Sequence, residues 1–224
     1  MNVGIVRFPG TNCEYDTQYA FQMLGCDTHL LWHQETKIAP KTDLLVIAGG
    51  FSYGDYLRSG AIARFSPIMN AVTAYAKQGG KVLGICNGFQ VLTESRLLPG
   101  ALKRNEHLHF ISKHHHLKIA ANDNTFLNRM RHNEIVNIPI AHHDGNFYID
   151  DEGLKALYQN HQVLLHYCDS DGVTCNPNGS VDAIAGICNK EKNVFGLMPH
   201  PERAMESLLG SDDGRRMLEG FLEA

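Results

Sequence analysis

The feature that most constrains the fold is the alternation of apolar strand patterns with helical patterns in the first half of the chain. Candidate strands lie at residues 2–8, 28–32, 43–48 and 81–85, and candidate helices at 14–24, 67–78 and 88–95. In the first of these helices Tyr15, Tyr19 and Met23 share one face. Strands that alternate with helices predict a mostly parallel sheet covered by helices.

The second half of the chain changes to a succession of short strand patterns. They lie at residues 115–121, 135–142, 163–169 and 183–189, and a last strand and helix follow at 193–198 and 214–222. Turn signals such as Asp144-Gly145 and Pro177-Asn178-Gly179 separate them, which predicts an antiparallel addition to the same sheet. Since no repeat or linker interrupts the pattern, we predict one α/β domain over residues 1–224, with a flavodoxin-like central sheet.

Composition excludes several functional classes. The chain has 224 residues and a formal net charge of −4, so neither nucleic acid nor an anionic membrane is expected as a partner. No apolar run approaches the roughly 20 residues that a membrane-spanning helix needs. The N-terminal stretch enters a strand pattern directly and lacks a signal-peptide layout, so we expect a cytoplasmic protein.

The six cysteines and thirteen histidines do not form a recognisable metal motif. No two cysteines make a C-x-x-C pair, and in a reducing compartment we expect free thiols. His114, His115 and His116 are adjacent, but neighbouring residues on a strand face opposite sides, so the three cannot bind one ion. We therefore predict no metal site.

The stretch GICNGFQ, residues 84–90, gives the chain its most specific chemical signal. Cys86 lies between Gly84 and Gly88, directly after an apolar strand, in the G-x-C-x-G form of a nucleophile elbow. In such an elbow the nucleophile has a strained backbone, and the glycines remove side chains that would clash. Because the N–H groups of the following helix favour the thiolate, Cys86 is predicted to be a nucleophile. A buried structural cysteine is the alternative.

A second pattern, MPHPE at residues 198–202, follows the last predicted strand. His200 and Glu202 face the same side of an extended segment, so the carboxylate can orient the imidazole. The histidine can then act as a base toward a thiol and as an acid toward a leaving amine. Sites in open α/β sheets lie beyond the carboxyl ends of the strands, which predicts that segments 9–13, 49–55, 86–90 and 199–202 meet at one edge.

The loop GGFSYGD, residues 49–55, follows another buried strand. Its paired glycines allow backbone N–H groups to point into a site, and one of them with the amide of Asn87 is a candidate oxyanion hole. A phosphate-binding turn or a plain loop is the alternative. Neither G-x-G-x-x-G nor G-x-x-x-x-G-K-[ST] occurs, so we predict no nucleotide site in this chain. Cys13 follows the first strand and can reach the same edge, but it lacks the glycine bracket.

With these residues assembled, the sequence resembles the class I, or triad, glutamine amidotransferases. Within that class it resembles the glutaminase subunits of phosphoribosylformylglycinamidine synthase, an enzyme of purine biosynthesis. The resemblance covers essentially the whole chain and runs through RFPGTNCE, GGFSYGDYLRSGAIA, GICNGFQ, NPNGS and MPHPE. GICNGFQ with MPHPE is typical of the class, and FSYGDYLR with RFPGTN is typical of this member. AHHDG at residues 141–145 departs from the expected A-H-G-E-G.

The resemblance implies a catalytic triad. Cys86 would be the nucleophile that attacks the side-chain amide of glutamine, His200 the general base and acid, and Glu202 its orienting partner. A γ-glutamyl thioester would form, ammonia would leave, and water would hydrolyse the thioester.

The resemblance also implies the groups that bind the oxyanion and the substrate. Backbone N–H groups near Gly50 or Phe51, together with that of Asn87, would bind the oxyanion. Gln90 occupies the position of a residue that contacts glutamine. No cofactor is implied for this chain.

The partners that the resemblance implies are a large ATP-using synthetase subunit and a small bridging subunit. ATP and Mg²⁺ would belong to the large subunit, which would use the ammonia to convert formylglycinamide ribonucleotide to formylglycinamidine ribonucleotide. Transfer inside the complex would keep ammonia from protonating in water. We therefore expect little glutaminase activity from the isolated chain and more in the complex.

Three other functions compete with this interpretation. One is a cysteine-elbow protein that acts on aldehydes or peptides, which would not require the His-Pro-Glu pattern. Another is a scaffold subunit with an inactive site. The third is a glutaminase that serves a different synthase.

Overall fold

The computed structural model describes residues 1–223. The strands are β1 (Asn2–Arg7), β2 (Asp27–Trp32), β3 (Leu44–Ile47), β4 (Lys81–Ile85), β5 (Ala101–Lys103), β6 (Ile111–Ile119), β7 (Ile135–His142), β8 (Asn146–Tyr148), β9 (Val163–Cys168), β10 (Ile184–Cys188) and β11 (Val194–Leu197). The α-helices are α1 (Glu14–Met23), α2 (Pro67–Lys77), α3 (Asn87–Glu94), α4 (Asp151–Gln159) and α5 (Asp213–Glu219). Short 3₁₀ helices lie at Ser52–Asp55, Ala63–Phe65, Val181–Ala183, Pro201–Arg203, Ser207–Leu209 and Gly220–Glu223.

Nine of these strands form one sheet in the order β2-β1-β3-β4-β11-β10-β9-β6-β7. Strands β2, β1, β3, β4 and β11 pair in parallel, in the flavodoxin-like order in which ligands bind at the carboxyl edge. Their apolar runs, such as LLVI in β3, are buried throughout, as expected for strands covered on both faces. The predicted fold class is confirmed.

The antiparallel addition continues the same sheet beyond β11. Strands β10, β9, β6 and β7 pair antiparallel in that order, and β5 and β8 form a separate two-stranded ribbon. Strand β6 begins at Ile111, four residues before the predicted start at position 115. Helix α4 was not predicted at all. The extent of the domain, 1–224, stays a prediction because Ala224 lies outside the described residues.

Helix α1 buries a different face from the one that its aromatic residues suggest. Tyr15 and Tyr19 share a face, but they are 60% and 52% exposed. The buried face of the helix, which packs against the sheet, carries Thr17, Ala20 and Phe21. Within residues 1–223, no helix has the length and apolar character that crossing a lipid bilayer demands.

The parallel half of the sheet determines where the chemistry-bearing segments lie. Strands β1, β3, β4 and β11 run in the same direction, so the residues that follow them emerge at one edge. Those residues include the loops after Phe8 and Ala48, the turn at Cys86, and the segment after Met198. The topology alone therefore brings four distant parts of the chain together.

Candidate active site

The turn between β4 and α3 has the strained geometry of a nucleophile elbow. Cys86 has φ of 50° and ψ of −105°, a conformation that a residue with a side chain seldom adopts and that costs about 1–3 kcal/mol. The backbone amide of Cys86 donates to the Leu197 carbonyl at 2.8 Å, which ties the strained residue to β11. The surrounding sheet therefore holds the thiol at the end of its strand.

The two glycines around the thiol are required by close backbone approach. A Cβ on Gly88 would lie 2.0 Å from the carbonyl oxygen of Ile47, and one on Gly84 would lie 2.7 Å from the Gly88 backbone. Because backbone atoms cannot move aside as a flexible side chain can, neither position accepts a larger residue. This close packing brings the first turn of α3 directly beneath Cys86.

Cys86 is 5% exposed, and its thiol lies beside His200 and a backbone carbonyl. Its Sγ lies 3.5 Å from the backbone carbonyl of Ala141, to which it can donate while it is protonated. Helix α3 begins at the next residue, so the positive end of the helix dipole lies next to Cys86 and favours negative charge there.

His200 and Glu202 form a buried pair on the segment that follows β11. His200 Nδ1 lies 2.7 Å from Glu202 Oε1, and the two side chains are 2% and 0% exposed. The His200 backbone amide donates to the Pro139 carbonyl at 2.8 Å, which anchors the segment against β7. With Nδ1 occupied by Glu202, His200 Nε2 is left to face the two cavity thiols, Cys13 and Cys86, which interact with the imidazole.

Charge compensation decides the protonation of His200. Burial alone lowers the pKa of an imidazole, but the Glu202 carboxylate and the Cys86 sulfur outweigh burial and hold the pKa of His200 well above its usual range. His142 lies nearby and behaves in the opposite way, because burial and the charge of His200 lower its pKa to about 3. Of the two histidines, only His200 can carry a proton in neutral solution.

A cavity of about 240 Å³ opens over these groups. Its lining comes from Asn12, Cys13, Gly50, Phe51, Cys86, Phe110, Ser112, Ala141, His200 and Arg203. All four segments predicted to meet at the sheet edge contribute to this lining, so their meeting is confirmed. A larger cavity, of about 360 Å³, is lined instead by residues before β4, after α3 and around the start of β11, and its lining does not include the thiol.

The candidate oxyanion donors differ in whether their backbone N–H groups already have an acceptor. The Phe51 amide donates to the Gly10 carbonyl at 2.9 Å and is therefore occupied. No acceptor among residues 1–223 engages the amides of Gly50 or Asn87. Gly50 has φ of 145°, and a Cβ there would lie 2.7 Å from the Asn12 amide nitrogen, so this position requires glycine.

Gln90 lies beside the elbow but does not line the cavity. Its Nε2 donates to the Asp144 carbonyl at 2.7 Å, and its Oε1 accepts from Asn87 Nδ2 at 2.8 Å. Asn87 Oδ1 in turn accepts from the Ser52 amide at 3.0 Å. Gln90 thus links three loops around the nucleophile, and its contact with substrate stays a prediction.

The segment at 141–145, where the sequence departs from the family pattern, directs its acid away from the cavity. Asp144 accepts from the Ser59 hydroxyl at 2.6 Å and lies 2.9 Å from His143 Nδ1. His142 is buried against Asn105, with 3.1 Å between its Nδ1 and the Asn105 Oδ1. The segment therefore supports the loops around the site through its side chains and reaches the cavity only through Ala141.

Some residues that line the cavity could not be identified from the sequence patterns. Phe110 and Ser112 line the cavity although no pattern marks them, because β6 places Ser112 opposite Ala141 of β7. Arg203 was adjacent to a recognised motif, and its Nη2 lies 3.1 Å from the Cys13 sulfur. Cys13 does reach the edge, as its position after β1 indicated.

The three adjacent histidines of β6 divide between the faces of the strand. His115 is buried and lies 2.9 Å, through Nε2, from the Cys175 carbonyl, while His114 is exposed. In the described part of the chain they do not belong to any group of potential metal ligands. All six cysteines have free thiols.

The fold and the site together define the class of protein. The model of the CobB/CobQ-like glutamine amidotransferase domain matches residues 1–216. That match covers the sheet, the elbow and the His200–Glu202 pair, and the chain is therefore a glutamine amidotransferase.

Comparison with individual relatives identifies the family within this class. The PurQ subunit of phosphoribosylformylglycinamidine synthase from Sulfurimonas denitrificans is 72% identical over the full length of both chains. The corresponding subunit from Wolinella succinogenes is 63% identical over 99% of both. A chain in the structure of PurLQS from Thermotoga maritima superposes with a TM-score of 0.89 at 38% identity, covering 99% of this chain and 97% of that one. The chain belongs to the family of PurQ subunits of phosphoribosylformylglycinamidine synthase, and it is a subunit of an enzyme of purine biosynthesis.

Proposed function

We propose that this chain hydrolyses glutamine at Cys86 and passes the ammonia to a synthetase subunit. The observation that carries the proposal is the meeting of a strained, glycine-bracketed thiol with the buried His200–Glu202 pair in one cavity. These are the nucleophile, the base and the orienting acid that acyl transfer from an amide needs.

The first half of the reaction forms a thioester. The Cys86 sulfur attacks the side-chain amide carbon of glutamine, and the carbonyl oxygen becomes an oxyanion. The free amides of Gly50 and Asn87 are the donors that support this charge, and one such donor typically contributes about 100- to 1000-fold in rate. His200, whose pKa is held high by Glu202 and Cys86, gives its proton to the nitrogen, and ammonia leaves as the C–N bond breaks.

The second half regenerates the Cys86 thiolate and the protonated His200. His200, now neutral, removes a proton from a water molecule, whose oxygen attacks the γ-glutamyl thioester. The C–S bond breaks, glutamate is released, and the proton on His200 again compensates the charge on the sulfur. Glu202 stays ionised and fixes the ring through Nδ1, so Nε2 faces the reacting atoms in both halves.

The partners follow from the relatives. PurLQS of Thermotoga maritima is named for three subunits, and we propose that this chain likewise works with a large synthetase subunit and a small bridging subunit. The large subunit would hold ATP and Mg²⁺ and consume the ammonia. Two partly exposed rings at the cavity, Phe51 and Phe110, lie 6.5 Å apart between centroids and offer an apolar rim for a partner. We place the complex in the cytoplasm, which agrees with the free thiols.

Rescue by ammonia tests the proposal. The Cys86→Ala chain is mixed with both partner subunits, formylglycinamide ribonucleotide and ATP, and product formation from glutamine is compared with that from ammonium chloride. We expect product from ammonium and none from glutamine. The matched control is Cys175→Ala, which removes an exposed thiol and should leave both nitrogen sources active. Undiminished use of glutamine by the Cys86→Ala chain would show that Cys86 is not the nucleophile.

A further inference from the structure

The side chain of Asn87 joins the two parts of the site that carry the free oxyanion donors. The Asn87 amide belongs to the elbow, and the Gly50 amide belongs to the loop at residues 49–54, which we call the glycine loop. Asn87 is 1% exposed, and its Oδ1 accepts a hydrogen bond from the Ser52 amide at 3.0 Å. The residue that offers its backbone to the oxyanion therefore also contacts, through its side chain, the loop that offers the second donor.

A directional series of hydrogen bonds fixes the orientation of the Asn87 side chain. The series starts at the Asp144 carbonyl, which can only accept and therefore selects Gln90 Nε2, at 2.7 Å. Gln90 Oε1 then faces Asn87 Nδ2 at 2.8 Å, and Asp55 Oδ1 lies 3.3 Å from the same nitrogen. Because two acceptors hold Nδ2, Asn87 Oδ1 faces the Ser52 N–H group, which can only donate.

The other backbone hydrogen bonds of the glycine loop lead to a different part of the chain. The amides of Phe51 and Tyr53 donate to carbonyls at residues 9–10, in the segment after β1, at 2.9 and 2.6 Å. Among residues 1–223, the contact between Ser52 and Asn87 is the only hydrogen bond from the glycine loop to the elbow or to α3. Without it, the loop would stay attached to the segment after β1 but not to the helix that follows the nucleophile.

We propose that Asn87 is a positioning residue whose side chain sets the distance between the Gly50 and Asn87 amides. Donors that stabilise an oxyanion need to lie about 2.7–3.1 Å from the oxygen that carries the charge. A displacement of roughly 1 Å can cost about 100-fold in rate. Both halves of the proposed reaction pass through such an oxyanion, so both depend on the same pair of amides. The inference rests on the proposed function, because it concerns the same site.

The test separates the oxyanion donors from the reactivity of the thiol. In the complex with both partner subunits, Asn87→Ala is expected to lower kcat for glutamine hydrolysis by about 10- to 100-fold, with little change in KM. Alkylation of Cys86 by iodoacetamide, followed by mass spectrometry of its peptide, should keep the parent rate, because displacement of iodide develops no charge on a carbonyl oxygen. Product formation from ammonium chloride should also stay at the parent level, since it does not use the glutaminase site.

Asn193→Ala is the matched control. Asn193 is likewise buried, and its Nδ2 donates to the carbonyls of Ala76 and Gly80 at 2.8 Å each. It lines the larger cavity, whose lining does not include the thiol. This variant should be less stable in urea but keep both its kcat and its rate of alkylation at Cys86. Loss of a buried amide side chain alone would then not account for slow hydrolysis.

Two outcomes would overturn the positioning role. An unchanged kcat in Asn87→Ala would show that the hydrogen bond to Ser52 is dispensable, and equal losses of hydrolysis and of alkylation would show that Asn87 supports the elbow as a whole. If circular dichroism shows that Asn87→Ala does not fold, Asn87→Leu, which keeps the side-chain volume without its hydrogen bonds, is measured against the same criteria. Glutamine hydrolysis by the parent complex, and its loss in Cys86→Ala, are established first, so failure of the proposed function is recognised separately.

Discussion

The α carbon of Gly88 faces the carbonyl oxygen of Ile47 so closely that an added Cβ would lie 2.0 Å from it. This contact joins the first turn of α3 to the end of β3, next to the strained Cys86. The distance is far below any real carbon–oxygen contact, and the oxygen belongs to the backbone of a central strand. The position of the nucleophile therefore depends on the absence of one side chain.

Gly88→Ala is predicted to displace α3 and destabilise the protein by about 1–3 kcal/mol or more, the usual range for overpacking a core. The free energy of unfolding in urea measures the loss. Gly25→Ala is the matched control, because its Cβ would meet no atom within 4 Å and only its φ of 76° opposes the substitution. Equal losses at the two sites would contradict the packing argument.

Glu202→Gln is predicted to lower kcat for glutamine hydrolysis by about 10²- to 10⁴-fold, the usual contribution of acid–base groups. Glutamine keeps the shape of the side chain but removes the negative charge that, with Cys86, keeps the pKa of His200 high. Steady-state kinetics of the assembled complex measure the effect. Glu206→Gln, which alters an acid that accepts from the Tyr19 hydroxyl at 3.1 Å, is the control and should change kcat little.

The parallel half of the fold was predictable because each of its strands has a recognisable local sequence pattern. Strands buried on both faces are apolar throughout, and the G-x-C-x-G pattern marks the turn that follows β4. Helix α4 was missed although Leu154, Leu157 and Tyr158 have helical spacing, because the stripe is short and only Leu157 is buried. Its start was nevertheless marked, since Asp150 accepts a hydrogen bond from the Gly153 amide at 2.7 Å and caps the helix.

The sequence predicted only those parts of the site that lie within one continuous segment of the chain. Paired glycines indicated free amides at Gly50 or Phe51, but the choice between them depends on the Gly10 carbonyl, which occupies the Phe51 amide. Ser112 and Ala141 line the cavity because β6 and β7 are paired in that register. Such pairing between distant strands leaves no local pattern in a single sequence.

Asp55→Asn is predicted to stabilise the protein in neutral solution by about 1–2 kcal/mol, after allowance for partial exposure. Burial and the nearby Asp144 raise the pKa of Asp55 from its ordinary 3.8 to about 6. Below pH 3.8 the Asp55 carboxyl is protonated in both the folded and the unfolded chain, so it does not lower the free energy of unfolding. As the pH rises to 6, the unfolded chain ionises more readily, so the penalty grows and is complete above 6.

Urea unfolding at about pH 3.5 and about pH 7.5 checks this sign. The gain from Asp55→Asn should be present at the higher pH and largely absent at the lower one. Asn keeps an oxygen that can accept from Asn87 Nδ2, which lies 3.3 Å from Asp55 Oδ1 in the parent chain. Asp171→Asn, at an exposed turn, is the control for general effects of charge. A gain that was equal at both pH values would refute the assignment.

Glutaminase activity is predicted to rise at least about tenfold when the isolated chain joins both partner subunits with ATP and formylglycinamide ribonucleotide. Tenfold corresponds to about 1.4 kcal/mol of activation free energy. The reason is that the cavity has a rim of exposed aromatic rings, Phe51 and Phe110, and a partner that covered this rim would exclude bulk solvent and strengthen the electrostatic stabilisation of the oxyanion. Glutamate release by the free chain and by the complex is compared, and the Cys86→Ala complex gives the background to subtract. Equal rates for the free chain and the complex would show that the site is complete without its partners.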